Sequence, residues 1–261
     1  MASQKTPRII AILAYVFMVV MNALATTLPL NGQTTAEISD RYDTLFAPIG
    51  FTFAIWGVIY LLLGIYSVYQ LIRDNAVIRT ITPWFIASSV LNGVWIVAWH
   101  YEVLWLSLVI IVALLVTLIA INKNTTAQRA NWSTTVALRL PFSVYFGWVT
   151  VATVANASAL LVQLGWRGGF GLSEEGWLVV ILVVAAAIGT TTALINSSAA
   201  YALVLVWAFW GILSRHLSAD GWDQQYPIAI LSLQILLPLL AVVSVVAFIR
   251  WVKQPIRPLA R

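Results

Sequence analysis

The chain alternates between long apolar runs and short polar connections, and eight such runs can be counted. They cover roughly residues 9–28, 47–71, 82–101, 103–121, 136–163, 176–195, 199–215 and 227–251. Each approaches or exceeds the about 20 residues that a helix needs to cross a hydrocarbon core about 30 Å thick. None shows the two-residue alternation of a barrel strand, so the pattern predicts membrane-spanning helices rather than an outer-membrane barrel. Lys5 and Arg8 precede the first run and Ala23-Leu24-Ala25 closes it, which is the layout of a signal peptide. Its apolar stretch is longer than a usual signal core and contains Asn22, so a retained first helix is expected.

Polar and aromatic residues within the runs fall on single helical faces. Phe53, Trp56, Tyr60, Gly64 and Ser67 follow one another at steps of three and four, after Pro48 and Gly50 mark the start. Ser88, Asn92, Trp95 and Trp99 do the same in the third run, and Trp148, Ala152, Asn156, Ala159 and Gln163 in the fifth. Stripes mixing large aromatics with small residues suit helix packing or a cavity wall better than a lipid-facing surface. An asparagine in hydrocarbon is costly unless bonded, so Asn92 and Asn156 should face the bundle. They would serve there as helix–helix amide contacts or as the few polar groups that orient a ligand in an aromatic pocket. Trp84, Trp166, Trp177 and Trp251 lie near run ends and fit an interfacial belt; Trp56, Trp95 and Trp148 do not. Gln234 and Pro238 in the last run read as a bundle contact, with a kinked functional helix as the alternative.

The connections differ in character. Residues 29–46, with Glu37, Asp40, Arg41 and Asp43, form a long polar link and a candidate lid. Tyr101 and Glu102 leave room only for a tight antiparallel pair, and residues 122–135 suit the headgroup level. Gly165, Gly168, Gly169 and Gly171 make the 164–175 link a flexible loop that divides the chain into 1–165, with five runs, and 166–261, with three.

Composition agrees with the pattern. Apolar residues make up 61% and charged residues 9% of the 261 positions, and the mean hydropathy is +0.92. A soluble domain carries about 25% charged residues, so this is an all-α integral membrane protein. With eight crossings one face collects Lys5, Arg8, Arg73, Arg79, Lys123, Arg129, Arg139, Arg250, Lys253, Arg257 and Arg261, and the other only Arg41, Arg167 and Arg215. Every acidic residue except Asp74 falls on the second face. This bias predicts a multi-pass protein of the cell (inner) membrane with both termini cytoplasmic, and it explains the net charge of +5 without nucleic acid. There is no cysteine, so disulfides and thiolate metal sites are excluded. Lys5, Lys123 and Lys253 lie outside the runs, which removes a retinal-type Schiff base. His100 and His216 fall near the outer boundary and read as solvated, and no carboxylate lies inside a run to carry protons or cations. Arg139 reads as snorkelling to the inner interface. No metal or covalent cofactor is expected to be needed.

Three motifs in order point to a family. Pro48 followed by Trp56-Gly57, Tyr60, Gly64 and Ser67, then Leu91-Asn92 with Trp95, then Trp148 with Ala152 and Asn156, resemble the signatures of helices two, three and five of the tryptophan-rich sensory protein family (TspO/MBR), whose animal members are the translocator proteins. The resemblance spans about residues 9–165. It departs in three further helices, in Val144-Tyr145 where the family has Pro-Tyr, and in the lack of a tyrosine after Asn156 for the sterol motif of animal members.

The resemblance implies a five-helix bundle with a pocket open toward the first long loop and a flat hydrophobic ligand such as a porphyrin. Carried over by motif, the ligand-binding candidates are Trp56, Asn92, Trp95, Ala152 and Asn156; Phe53 and Trp148 join them from their helical faces. No catalytic residue is assigned. A receptor or sensor is the expected role, with transport of a small apolar or amphipathic solute, or degradation of a bound tetrapyrrole, as alternatives. The expected partners are the bilayer, the hydrophobic ligand and a possible second copy in a homodimer.

Overall fold

A computed structural model describes residues 5–28, 30–127 and 131–255. Eight helices in it are long and apolar enough to cross a membrane, one for each apolar run. They are α1 (Lys5–Thr27), α3 (Ile55–Ile72, entered through a 3₁₀ turn at Gly50–Ala54), α4 (Ala76–His100), α5 (Leu104–Thr126), α7 (Leu140–Gln163), α8 (Glu174–Ile195), α9 (Ala199–Leu217) and α10 (Pro227–Lys253). A short helix, α2 (Thr35–Arg41), lies within the 29–46 link, and α6 (Trp132–Thr134) leads through a π-helical stretch, Thr135–Arg139, into α7. No strand occurs among the described residues.

Local chemistry sets the ends. The Thr34 hydroxyl accepts from the Glu37 amide at 3.3 Å, and the Glu37 carboxylate accepts from the Thr34 amide at 2.6 Å, a reciprocal cap that starts α2. Asn75 Oδ1 accepts from the Ile78 amide at 2.9 Å, so α4 begins before its apolar run and carries Pro83 inside it.

Five helices close into a ring in which each packs on two neighbours: α1 on α4, α4 on α5, α5 on α7, α7 on α3, and α3 back on α1. One half of its core is a knot of rings, with Tyr66 T-shaped against Phe85 and Phe142 at centroid distances of 4.9 and 4.7 Å, all three fully buried. Against this ring, α9 docks on α7 and on the 3₁₀ turn before α3, and α8 and α10 pack on α9 from behind. Gly147 makes the docking close. A Cβ there would sit 3.0 Å from Val204 Cβ and 3.1 Å from the Tyr201 carbonyl.

Contacts between connections sort them onto two ends. At one end Asp74 pairs with Arg8 (2.5 Å) and Arg79 (2.8 Å), Thr126 donates to Asn196 (3.2 Å), and Gln254 donates to Ser197 (3.1 Å). At the other, Glu102 takes Arg41 and the Tyr42 hydroxyl (2.7 Å), Asp40 pairs with Arg215, and Glu175 accepts from the Ile228 amide (2.8 Å). The described charges divide into the basic and acidic ends that the charge pattern anticipates; Arg129, Arg257 and Arg261 lie outside the described residues.

Three expectations need correction. His100 and His216 are not solvated but fully buried: α2 and the Leu30 carbonyl close over the first, and the Leu45 carbonyl with the rings of Trp222 and Tyr226 over the second. Arg139 does not snorkel: it is 6% exposed and folds inward onto the carbonyls of Asn196 and Ser197. Gln234 makes no bundle contact and stands exposed on the outer side of α10.

Candidate functional site

The 3.6-residue period brings the stripes of α3, α4 and α7 to the middle of the ring near its acidic end. Trp56 is the hub. Its ring stacks on Tyr60 at 5.7 Å and 15°, tilts against Trp95 at 5.7 Å, and meets Tyr145 and Trp148 edge-on at 6.2 Å. Phe53 is T-shaped to Trp148 at 6.0 Å, and Trp95 stacks on Trp99 at 6.2 Å. These are the offset and edge-to-face geometries that ring quadrupoles favour.

Among these rings lies a cavity of about 30 Å³, walled by Phe53, Trp56, Trp95, Trp148, Ala152 and Asn156 with Trp99 beside them, and roofed by Thr35 and Ser39 of α2. Six of the seven sequence candidates therefore share one wall. Asn92 does not. It is fully buried one turn deeper on α4, where its Oδ1 accepts from Asn22 Nδ2 of α1 at 2.7 Å. Asn156 is held by Ser107 Oγ (2.5 Å), by Trp95 Nε1 (3.3 Å) and by its own Nδ2 donating to the Ala152 carbonyl (2.9 Å), which fixes its amide at the cavity edge. Trp148 Nε1 is buried without a partner among the described residues, a donor left over at the wall.

The roof is pinned on both sides. Trp99 Nε1 donates to the Thr35 carbonyl at 3.3 Å. His100 Nδ1 donates to the Leu30 carbonyl at 3.1 Å, so in the neutral ring its Nε2 accepts from the Thr35 hydroxyl at 3.0 Å. Beyond α2, Tyr42 donates to Glu102, and burial together with that carboxylate pushes its hydroxyl pKa up. Glu37 shifts the other way: the amide and hydroxyl of Thr34 hold its carboxyl below the ordinary glutamate value.

The opposite side of the roof comes from α9, to which the sequence assigns no role. Trp207 Nε1 donates to the Thr52 carbonyl at 2.9 Å, and the Ile49 amide donates to the Gly211 carbonyl at 3.1 Å. His216 Nε2 donates to the Leu45 carbonyl at 3.0 Å, while Arg215 pairs with Asp40 of α2. Gly211 has to be glycine because a Cβ would run into Thr52 and Pro48. The recurrence of Trp-Gly at 56–57 and 210–211 was the one signal in the sequence, and it is too short to carry this.

The cavity wall has no ionisable side chain, and among the described residues no three His, Asp or Glu gather as metal ligands. What it offers is aromatic stacking surface, one indole donor without a partner among the described residues, and an anchored amide.

A family model described as TSPO-like protein matches residues 8–249 of the chain, a range that runs through all eight long helices and not only the first five. No curated protein and no solved structure matches.

Proposed function

The chain belongs to the TSPO-like protein family, and on that premise we propose that it is a membrane receptor for a flat hydrophobic molecule of the porphyrin type, bound in the aromatic cavity beneath α2. The observation that carries this reading is the convergence of Phe53, Trp56, Trp95, Trp148, Ala152 and Asn156 on one wall under a separate roof. Ring faces supply stacking and apolar area, and the spare Trp148 Nε1 offers one donor to a ligand oxygen or nitrogen.

As the rings stand, about 30 Å³ admits little more than a water, whereas pockets for drug-sized ligands measure about 300–1,000 Å³. Binding therefore requires α2 to lift and the indoles to part. The Arg41–Glu102 and Arg215–Asp40 pairs that hold α2 are at least partly exposed, and such pairs contribute only about 0–1 kcal/mol each. Opening must also break the bonds of Thr35 to Trp99 Nε1 and His100 Nε2 and expose Ile38, so the ion pairs set only the smaller part of its cost.

Two features favour a receptor over the alternatives. The half of the ring toward the basic end is filled by Tyr66, Phe85 and Phe142, which blocks a path through the bundle. The wall also lacks the acid, base or metal ligands that an enzyme would use. Titration of the full chain in detergent with protoporphyrin, followed by the pigment's own absorbance, should saturate at one per chain without consuming it. Uptake of the pigment into vesicles holding the protein would replace this reading with transport, and loss of pigment with turnover would replace it with catalysis.

A further inference from the structure

A second cavity, of about 170 Å³, opens at the basic end, between the π-helical stretch before α7, the α8–α9 turn and the last turns of α10. Arg139 is the residue that needs explaining. It is 6% exposed; its Nη2 donates to the carbonyls of Asn196 and Ser197, the latter at 2.8 Å, and its Nη1 is buried with no hydrogen-bond partner. Ser143, one turn further along the same face and 1% exposed, has an unpartnered Oγ, and both residues line the cavity.

Among the described residues no carboxylate balances this charge. Among the described residues Arg139 makes no salt bridge, and the acidic residue of this end, Asp74, is already engaged by Arg8 and Arg79. A guanidinium cannot escape by losing its proton, so a buried one without a counter-charge is an unfavourable arrangement that an anion would relieve.

A second source of positive potential meets it. The 19-residue α9 starts at the cavity, with Ala199 and Ala200 on the wall. The Ser198 hydroxyl that caps it accepts from the Tyr201 amide at 3.4 Å, which leaves the amides of Ala199 and Ala200 as first-turn donors without helical partners. The remaining wall is aromatic: Trp132 lies 5.5 Å from Trp251, which lies 5.8 Å from Phe248. Such a mouth suits the water–lipid boundary, where indoles collect.

We propose that this cavity is an oxyanion site for the phosphate of an amphiphile, the headgroup of an anionic phospholipid in the leaflet at the basic end. The phosphate oxygens accept from Arg139 Nη1, from Ser143 Oγ and from the first amides of α9, and the apolar body leaves past Trp132 and Phe248. Arg250 and Lys253, both exposed in the last turn of α10, add positive charge to the same end of the bundle.

The test uses the full chain in a neutral maltoside detergent, with the thermal unfolding midpoint read by tryptophan fluorescence. Decyl phosphate is the amphiphilic probe and inorganic phosphate the free-anion probe. At about 100 times its dissociation constant, decyl phosphate should raise the midpoint by about 5–10 °C. Arg139→Gln should abolish the rise. Because that change also strips two carbonyls of their donor, Ser143→Asp is the second variant: it leaves Arg139 in place and supplies an internal carboxylate. It should raise the midpoint in buffer alone and abolish the response to the probe. A rise with decyl phosphate alone assigns the site to a lipid headgroup, and an equal rise with inorganic phosphate assigns the same oxyanion site to a free anion. No rise with either probe, or a rise retained in either variant, overturns the proposal.

Discussion

The two cavities sit at opposite ends of one bundle and are built on opposite principles. The aromatic cavity is about 30 Å³, roofed, and lined by rings that already stack on one another, with Asn156, Trp95 and Trp99 hydrogen-bonded. The Arg139 cavity is about 170 Å³ and keeps a guanidinium nitrogen and a hydroxyl unpaired. A ligand in the first would have to replace ring-on-ring contact and lift the roof; an anion in the second would meet positive charge, with Arg139 Nη1 and Ser143 Oγ turning outward from their buried positions to reach it. The helices beyond the first five serve both. At the acidic end α9 grips the 3₁₀ turn and the roof, and at the basic end the N-terminus of α9 and the C-terminal turns of α10 complete the wall.

The contrast can be broken at several points. The largest effect is expected from Asn156→Leu, which deprives both Ser107 Oγ and Trp95 Nε1 of their buried acceptor. At about 1–3 kcal/mol for each unsatisfied buried group, the loss should be about 2–5 kcal/mol of stability in a denaturant titration. A loss below about 1 kcal/mol would mean the aromatic cavity is not held by its polar edge.

Asn92→Leu should cost about 1 kcal/mol, because Asn22 Nδ2 loses its bond to Asn92 but keeps the Met18 carbonyl at 2.9 Å, yet the affinity of the folded protein for protoporphyrin should not change. The double change Asn22→Leu with Asn92→Leu should recover most of the stability, as it removes both polar partners. Weakened pigment binding in either protein would return Asn92 to the site.

Loosening the roof is expected to do less. Asp40→Asn or Arg215→Gln should lower stability by about 0–1 kcal/mol and speed pigment association, with the difference from wild type shrinking as salt is raised. Stopped-flow mixing at two ionic strengths reads this, and association unchanged by both substitutions would uncouple α2 from entry.

The smallest effect belongs to Glu37. Its carboxyl is held below the ordinary value by Thr34, so the cap contributes stability above the unfolded glutamate pKa of about 4.3 and loses it as pH falls through the lower folded value. A midpoint-versus-pH curve should show a decline in acid that Glu37→Gln flattens. A decline of the same size in the variant would assign the acid response to other groups.

How far the sequence reaches differs between the two ends for a physical reason. Phe53, Trp56, Trp95, Trp148, Ala152 and Asn156 were legible because spacings of three and four put residues on one face, whatever the helix packs against. Asn92 shares its face but not the depth of the wall, since α1 comes close enough there to offer Asn22. The eight helices and the sorting of their connections were legible from apolar length and charge alone. Arg139 was not, because what draws it inward are carbonyls 57 and 58 residues away in the α8–α9 turn. The same holds for His216, whose acceptor is Leu45, far off in the chain. The start of α2 is written in Thr34-x-x-Glu37, a capping signature inside the link whose polarity and length alone suggest a lid.

The most direct measurement compares protoporphyrin affinity, by the pigment's absorbance, in the wild type and in Trp56→Leu, Trp95→Leu and Trp251→Leu. Trp56 and Trp95 line the aromatic cavity and Trp251 the basic one. Losing a stacking ring and its buried area should weaken binding by about 1–3 kcal/mol, roughly 5- to 150-fold, at Trp56 and Trp95. The Trp251 variant should bind as the wild type does. Equal losses at all three positions, or none at Trp56 and Trp95, would contradict a ligand site beneath α2.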